Sequence, residues 1–241
     1  MTAVIVAGAG GRLGAAVAVA LAARDAELLL ADIDPASLER YDGAVAVPAD
    51  LRDEQQAEAL VRRALDEFGS IDAVVNAAGI EGPVGPLEEV GPAAFVDVYE
   101  ANVLGPFQLL RAVLPHFKER RQGRIVNVAS GAGLAGVAYM AAYSSSKHAL
   151  VGLTRSLARE VAPFGVSVNA VCPGCVDSPM MERIEGRLAA LVDGDSSFVG
   201  AIPAGRYADP GEVAGLIAYL IFDAPSYLTG EALVIDGALR A

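Results

Sequence analysis

The segment Val4-Ile5-Val6-Ala7-Gly8-Ala9-Gly10-Gly11-Arg12-Leu13-Gly14 decides how this chain folds. Its first four residues are apolar and uncharged, the composition of a short strand buried on both faces. Glycines then dominate the turn, and the alanine-rich run Ala15 to Arg24 has the composition of a helix. A strand that enters a helix through such a turn lets backbone amides approach a pyrophosphate, and the helix N-terminus supplies a favourable potential. The segment therefore predicts a dinucleotide-binding βα unit.

Outward from it the same alternation continues. Leu28 to Ala31 reads as a second strand ending at Asp32, eighteen residues beyond Gly14. A carboxylate there is positioned to accept hydrogen bonds from adenosine ribose hydroxyls, which favours NAD over NADP. The competing role, capping a helix over DPASLERY, suits Asp34 before Pro35 better. Val45 to Pro48 is a third strand, followed by Asp50-Leu51 and a helix from about Asp53 to Phe68. Ala73 to Val75 is a fourth strand that runs into Asn76-Ala77-Ala78-Gly79. A helix from Pro92 to Phe117 contains Asn102 and Gly105, poor helix formers that predict a kink or a side chain with a task.

Ile125 to Ala129 and Ser167 to Val171 are the fifth and sixth strands, on either side of a helix that carries Tyr143 and runs to about Ala162. Met180 to Ala204 is irregular and amphipathic, the composition of a lid. Asp209 to Phe222 is a last helix and Ala232 to Asp236 a last strand. With no composition break, the chain predicts a single doubly wound, Rossmann-type α/β domain over residues 1–241, with a seven-stranded parallel sheet and a substrate lid at about 180–204.

The stretch Ser130 to Lys147, SGAGLAGVAYMAAYSSSK, carries candidate chemistry. Tyr143 and Lys147 are four apart, so a helix places them on one face with the ammonium near the phenol. A cation there is expected to lower the tyrosine pKa toward a working range. Ser130, at the end of the fifth strand, could face that phenol.

Composition excludes several classes. The net charge of -12 argues against a broad phosphate-backbone partner such as nucleic acid. The basic cluster Lys118, Arg120, Arg121 and Arg124 reads as a helix C-terminus complementing its dipole. Ile125 to Ser146 is uncharged, but Asn127, Ser130 and its glycines divide it into strand, loop and helix, so no membrane span is predicted. The N-terminus has no basic region before its apolar residues, and a cytoplasmic location is the default. Cys172-Pro173-Gly174-Cys175 has no second pair, and His116 and His148 are the only imidazoles, so no metal site is expected.

In their order these motifs resemble the short-chain dehydrogenase/reductase family over the full chain. Its T-G-x-x-x-G-x-G appears as Ala7 to Gly14, with Ala7 in place of the threonine and Arg12 in place of the second glycine, and its N-N-A-G as Asn76 to Gly79. The resemblance implies a catalytic set of Asn102, Ser130, Tyr143 and Lys147. Tyr143 would be the proton carrier, Lys147 its partner and a ribose ligand, Ser130 a substrate ligand, and Asn102 the holder of a water leading to solvent. It also implies that Gly8, Gly10, Gly11, Arg12, Leu13, Gly14, Asp32, Ile33, Asp50, Leu51, Asn76, Ala77, Ala78, Gly79, Pro173, Gly174, Val176 and Ser178 join Tyr143 and Lys147 around NAD.

The expected activity is NAD-dependent interconversion of a secondary alcohol and a ketone. The alternatives are an NADPH-dependent 3-oxoacyl-carrier-protein reductase and a non-catalytic NAD-binding regulator. Leu134, Val137, Tyr139, Met180, Met181, Ile184 and Leu188 are candidate pocket residues, mostly apolar, with no arginine or lysine standing out to hold a carboxylate; a neutral, medium-sized or cyclic substrate is expected. Alanine-rich helix faces together with the resemblance imply a homotetramer built on the Pro92 and Tyr143 helices and the C-terminal segment.

Overall fold

Strand β1 (Ala3–Ala7) is buried at all of its positions, as a strand must be when helices cover both sides of the sheet. In the computed structural model, which describes residues 1–38, 43–191 and 197–241, β1 pairs in parallel with β2 (Glu27–Asp32) on one side and β4 (Ala73–Asn76) on the other. With β3 (Val45–Pro48), β5 (Gly123–Val128), β6 (Val166–Pro173) and β7 (Ala232–Ile235), the sheet has seven parallel strands in the order β3-β2-β1-β4-β5-β6-β7. The chain winds outward from β1 to β3, then returns to β4 and winds the other way. That reversal opens a crevice at the C-terminal ends of β1 and β4.

Alternation along the strands divides the core between the two faces. Ile5, Leu29, Val74, Ile125 and Val168 pack under α2 (Glu54–Phe68), α4 (Gly105–Arg120) and α5 (Ala141–Val161). Val4, Val6, Leu28, Leu30 and Val75 pack under α1 (Arg12–Ala22) and α7 (Pro210–Phe222). At the crevice side the α5 face is tied by polar atoms: Asn76 Nδ2 donates to Asn127 Oδ1 at 2.8 Å, and Asn127 Nδ2 to Thr154 Oγ1 at 2.9 Å. This relay joins β4, β5 and α5 inside the protein, where an unmet donor would cost about 1–3 kcal/mol.

Two expectations change. The helix expected from Pro92 to Phe117 is α3 (Pro92–Tyr99), a π-helical segment (Glu100–Leu104) and α4. Pro106 has no N–H for the regular ladder, so the widened turn falls just before it and turns Asn102 fully inward.

The stretch read as irregular contains a regular helix, α6 (Pro179–Leu188). Ser178 caps it by accepting from Met181 N at 3.3 Å, Pro179 suits its first turn, and Ile184 and Leu188 are its buried stripe. Val199–Ala201 forms one 3-10 turn, and residues 192–196 of the expected lid lie outside the described residues. Pro35–Leu38 is likewise a 3-10 turn, and the rest of the expected helix, residues 39–41, lies outside them too.

Ile125 to Ser146 divides into β5, a turn and the start of α5, and no helix among the described residues is long and apolar enough to cross a membrane.

Candidate active site

The glycine turn forms because backbone atoms meet there. A Cβ on Gly14 would stand 2.8 Å from the Gly8 carbonyl carbon, and one on Gly8 would strike the Ala77–Ala78 backbone. Only glycine permits that approach. The turn therefore lies flat against the β4 loop, with Gly8 N and Ala9 N donating to Ala31 O and Gly11 N to Gly8 O, and it leads directly into the N-terminus of α1. Asp32, at the end of β2, accepts from Gly10 N at 2.8 Å through Oδ2 and from Asp34 N at 3.1 Å through Oδ1. These bonds fix the carboxylate at the rim of the turn, beside the exposed Ile33.

A cavity of about 640 Å³ opens from this turn. One end is lined by Gly10, Gly11, Arg12, Leu13 and Gly14, the middle by Ala77, Gly79, Ser130, Tyr143, Lys147, Pro173, Gly174, Val176 and Ser178, and the far end by Val137, Met140, Met180, Met181, Ile184 and Phe198. An extended dinucleotide fits this shape: a glycine-rich turn at a helix N-terminus and polar groups in the middle, with Asp32 bonded to Gly10 N but, like Ile33, outside the cavity lining.

Several expected cofactor contacts sit elsewhere. Gly8 and Ala78 form the backbone packing beneath the turn. Asp50 is held by Arg52, whose Nη2 lies 2.7 Å from Oδ2, and that bond keeps the carboxyl below its ordinary value. Leu51 is buried, and Asn76 belongs to the relay below the cavity.

Ser130 and Tyr143 reach the cavity from different elements. The turn after β5 is capped by Ser130 Oγ, which accepts from Ala132 N at 3.1 Å. Gly133 brings the turn against α5, since a Cβ there would lie 2.8 Å from Lys147 O. Lys147 is 4% exposed and donates to Val128 O at 2.9 Å, and its Nζ lies 5.8 Å from the Tyr143 ring centre. Asn102 is fully buried and clamps the backbone of one residue: Oδ1 accepts from Ile80 N at 2.8 Å, and Nδ2 donates to Ile80 O and Ser146 Oγ, each at 3.0 Å. Asn102 Oδ1 and Lys147 Nζ both come within 3.3 Å of the point where a Cβ on Gly79 would stand.

Electrostatics here differ from the expectation in one respect. Burial raises the Tyr143 phenol above its ordinary value, Ser130 opposes the rise, and Glu81 and Cys175 add to it. Lys147 is itself desolvated, and burial brings it from 10.5 to about 8. Its ammonium is still the main form at neutral pH.

Sequence reasoning missed several groups. Arg183 and Arg240 line the cavity, as does Cys175, whose thiol burial pushes up to about 11. Cys172 and Cys175 are both free. Of the candidate pocket residues, Val137, Met180, Met181 and Ile184 line the cavity, whereas Leu134, Tyr139 and Leu188 do not. A helical reading of residues 179–188 would have placed Met180, Arg183 and Ile184 on one face and exposed the missing arginine.

Comparison with known proteins agrees with this geometry. The family model described as Enoyl-(Acyl carrier protein) reductase matches residues 8–239. Levodione reductase of Leifsonia aquatica is 36% identical over 250 aligned positions, covering 99% of this chain and 94% of its own. A putative ketoacyl reductase of the monensin polyketide synthase, from Streptomyces virginiae, is 43% identical over 197, covering 79% and 75%. Among solved structures, NAD+-bound xylitol dehydrogenase superposes with a TM-score of 0.94 at 32% identity, covering 98% of each chain. A single-residue variant of the actinorhodin polyketide ketoreductase with NADPH gives 0.93 at 34%, covering 99% of this chain and 97% of its own. The chain belongs to the short-chain dehydrogenase/reductase family, oxidoreductases that act on alcohols and ketones.

The Lys147 shift gives a measurable pH dependence. Between about pH 8 and 10.5 the unfolded chain holds a proton on Lys147 that the folded chain has lost, so stability rises with pH across that window. Urea denaturation at pH 7.5 and 10.5 should show the protein gaining roughly 3 kcal/mol relative to Lys147→Met. A difference that stays constant would mean that the ammonium is solvated in the fold.

Proposed function

We propose that the protein is an NAD-dependent oxidoreductase that interconverts a neutral secondary alcohol and its ketone. The observation that carries this reading is the single cavity onto which the glycine turn, Ser130, Tyr143 and Lys147 all open. The nicotinamide cofactor would supply hydride transfer when bound. Gly10, Gly11, Arg12, Leu13 and Gly14 would hold its phosphates, Asp32 a ribose, and the Asn76–Gly79 loop and Pro173, Gly174, Val176 and Ser178 its nicotinamide half. Asp50 and Leu51 would flank the adenine side.

Ser130 would donate to the substrate oxygen as charge develops there. Tyr143, held protonated by burial, is suited to give its proton to that oxygen during reduction and to take it back during oxidation. Lys147 would bind a ribose hydroxyl and, once the oxygen is charged, stabilise the phenolate. A water between Asn102 and Lys147 would carry the proton to solvent. Helix α6 and the segment to residue 204 would act as the lid, and the protein would work in the cytoplasm.

The alternative reading, a 3-oxoacyl-carrier-protein reductase, is favoured by the likeness to ketoacyl reductases. Its acidic carrier would need free cations. Lys118 is bonded to Glu160 at 2.7 Å, Arg120 to Asp72 at 3.0 Å, Arg121 to Pro163 O at 2.7 Å and Arg124 to Leu220 O at 3.0 Å. The two carboxylate pairings neutralise Lys118 and Arg120 internally and favour the small-ketone reading, whereas Arg121 and Arg124, bonded to neutral carbonyls, keep their charge.

Tyr143→Phe keeps the ring packing and removes the transferable proton, so kcat should fall by about 10²–10⁴ while NADH still binds, as followed by its fluorescence. Retained turnover would require another proton carrier. For the cofactor, a 2'-phosphate beside Asp32 would meet a like charge and forfeit a charged hydrogen bond, so NAD should exceed NADP by roughly tenfold to a hundredfold in kcat/KM, and Asp32→Ala should narrow the gap. Equal use of NADP by the unmodified protein would show Arg12 overriding Asp32.

The assembly we propose is a homotetramer. Phe95, Val96, Tyr99, Leu104, Phe107 and Leu153 form an apolar groove across α3, α4 and α5, with Val96 51% and Phe107 42% exposed. Light scattering should report four copies at micromolar concentration and fewer for Phe107→Glu. A stable wild-type monomer would overturn this assembly.

A further inference from the structure

Among the described residues, the arginines that line the cavity are Arg12, Arg183 and Arg240, and each is paired with a carboxylate of the chain itself. Arg12 Nη2 lies 3.8 Å from Asp177 Oδ2 at the mouth of the phosphate turn. Arg183 donates to Glu81 through Nε at 2.6 Å and Nη2 at 3.1 Å, with the Glu81 side chain 8% exposed. Arg240 Nε donates to Asp236 Oδ2 at 3.2 Å.

The third pair stands where a substrate would be sorted. Gly131 directly follows Ser130, and a Cβ on it would lie 3.6 Å from Arg240 Nε, while Arg240 Nη1 approaches Gly131 O at 3.5 Å. Asp236 is the more deeply buried partner, its side chain 7% exposed against 23% for Arg240. Its position is set by backbone: Oδ1 accepts from Ala238 N at 3.1 Å, and Gly174 packs against its Cβ. Oδ2 is thus given to the guanidinium.

An unpaired guanidinium on an otherwise apolar wall would be an attractive seat for an anion. Paired with Asp236 it offers no net charge, and an incoming carboxylate would lose its hydration while meeting a like charge. We propose that Asp236 is a specificity-determining residue: by neutralising Arg240 beside Ser130, it makes the cavity accept neutral ketones and alcohols and reject those that carry a carboxylate. This inference rests on the proposed reading that the cavity binds a ketone or alcohol at Ser130 and Tyr143, and it adds the residue that sets the charge of the substrate.

The test uses the full chain and matched substrates, 4-oxocyclohexanecarboxylate with its methyl ester and 4-oxopentanoate with its methyl ester. Wild type should prefer the esters. Asp236→Asn keeps the acceptor for Ala238 N but removes the charge, and the acid-to-ester ratio of kcat/KM should rise at least about tenfold for one pair. Adding Arg240→Gln should abolish the gain. An unchanged ratio in folded Asp236→Asn, or a gain that survives Arg240→Gln, would overturn the assignment.

Arg240→Gln alone leaves Asp236 uncompensated and should lower the ratio below wild type, so the proposal stays testable even if Asp236→Asn does not fold; no change there counts against it. A second readout needs no turnover: cyclohexanecarboxylate should raise the Tm of Asp236→Asn and not that of wild type or the double variant. That melting pattern without turnover of any ketone would sink the proposed reaction and support the charge assignment. Ester turnover with no change in ratio or melting would do the reverse.

Discussion

The bond from Lys147 Nζ to Val128 O is the constraint on which the site depends. It joins the middle of one face of α5 to the end of β5, and the approach of Gly133 to the Lys147 backbone leaves the intervening turn one path. Ser130 at the start of that turn and Tyr143 one helical turn before Lys147 consequently open onto the same cavity. Moving α5 by even one residue would replace Lys147 at the strand end and turn Tyr143 away. The ammonium does this at a cost, since burial brings its pKa to about 8. A hydrocarbon would pack there with less penalty, so its retention fits a role in chemistry rather than in stability.

The same economy of contact holds on the other side of the cavity. Asn102 uses both ends of its amide on the Ile80 backbone, and the next residue, Glu81, carries the ion pair to Arg183 in α6. Burial alone would raise the Glu81 carboxyl, and its arginine bonds bring it below its ordinary value instead. The π-helical turn, the loop after β4 and the helix over the cavity are therefore one connected wall. At its base Tyr207 donates to Glu185, which also accepts from Phe198 N. A wall so connected positions apolar side chains such as Met180 and Ile184 without needing a ligand to order them.

What is legible in the sequence follows from range. The strands are short, mostly apolar runs, almost continuously so in the central β1, β2 and β4, and all seven can be found within a residue or two from local composition. Glycine turns and the Tyr143–Lys147 spacing are also local. Legibility ends where a partner is distant or the environment collective. Nothing near Arg183 in the sequence announces Glu81, 102 positions away, and nothing near Gly131 announces Arg240, 109 away. The direction of the Tyr143 shift departs from expectation for a similar reason: spacing shows the neighbouring cation, but only the packed structure shows that burial outweighs it. The amphipathic stripe of α6 is local, yet Gly186 within it and the glycines and proline of the following residues to 204 resemble loop composition.

A chain with a net charge of -12 has to attract an anionic dinucleotide if the proposed function is right. The structure supports a local solution. Surface carboxylates farther than about 8 Å from the cleft are screened at physiological salt, so the potential at the turn is set by what stands next to it. Those neighbours are the N-terminus of α1 and Arg12, whose side chain is 59% exposed and only loosely paired with Asp177 at 3.8 Å, set against the Asp32 carboxylate on Gly10 N. Farther in, Arg183 and Arg240 are matched with buried carboxylates and add little field. Arg12 and the N-terminus of α1 thus supply the favourable potential where phosphates would sit, against the Asp32 and Asp177 carboxylates beside them, while farther in the two guanidiniums are balanced and the buried Lys147 ammonium remains as the cation facing a bound cofactor or substrate.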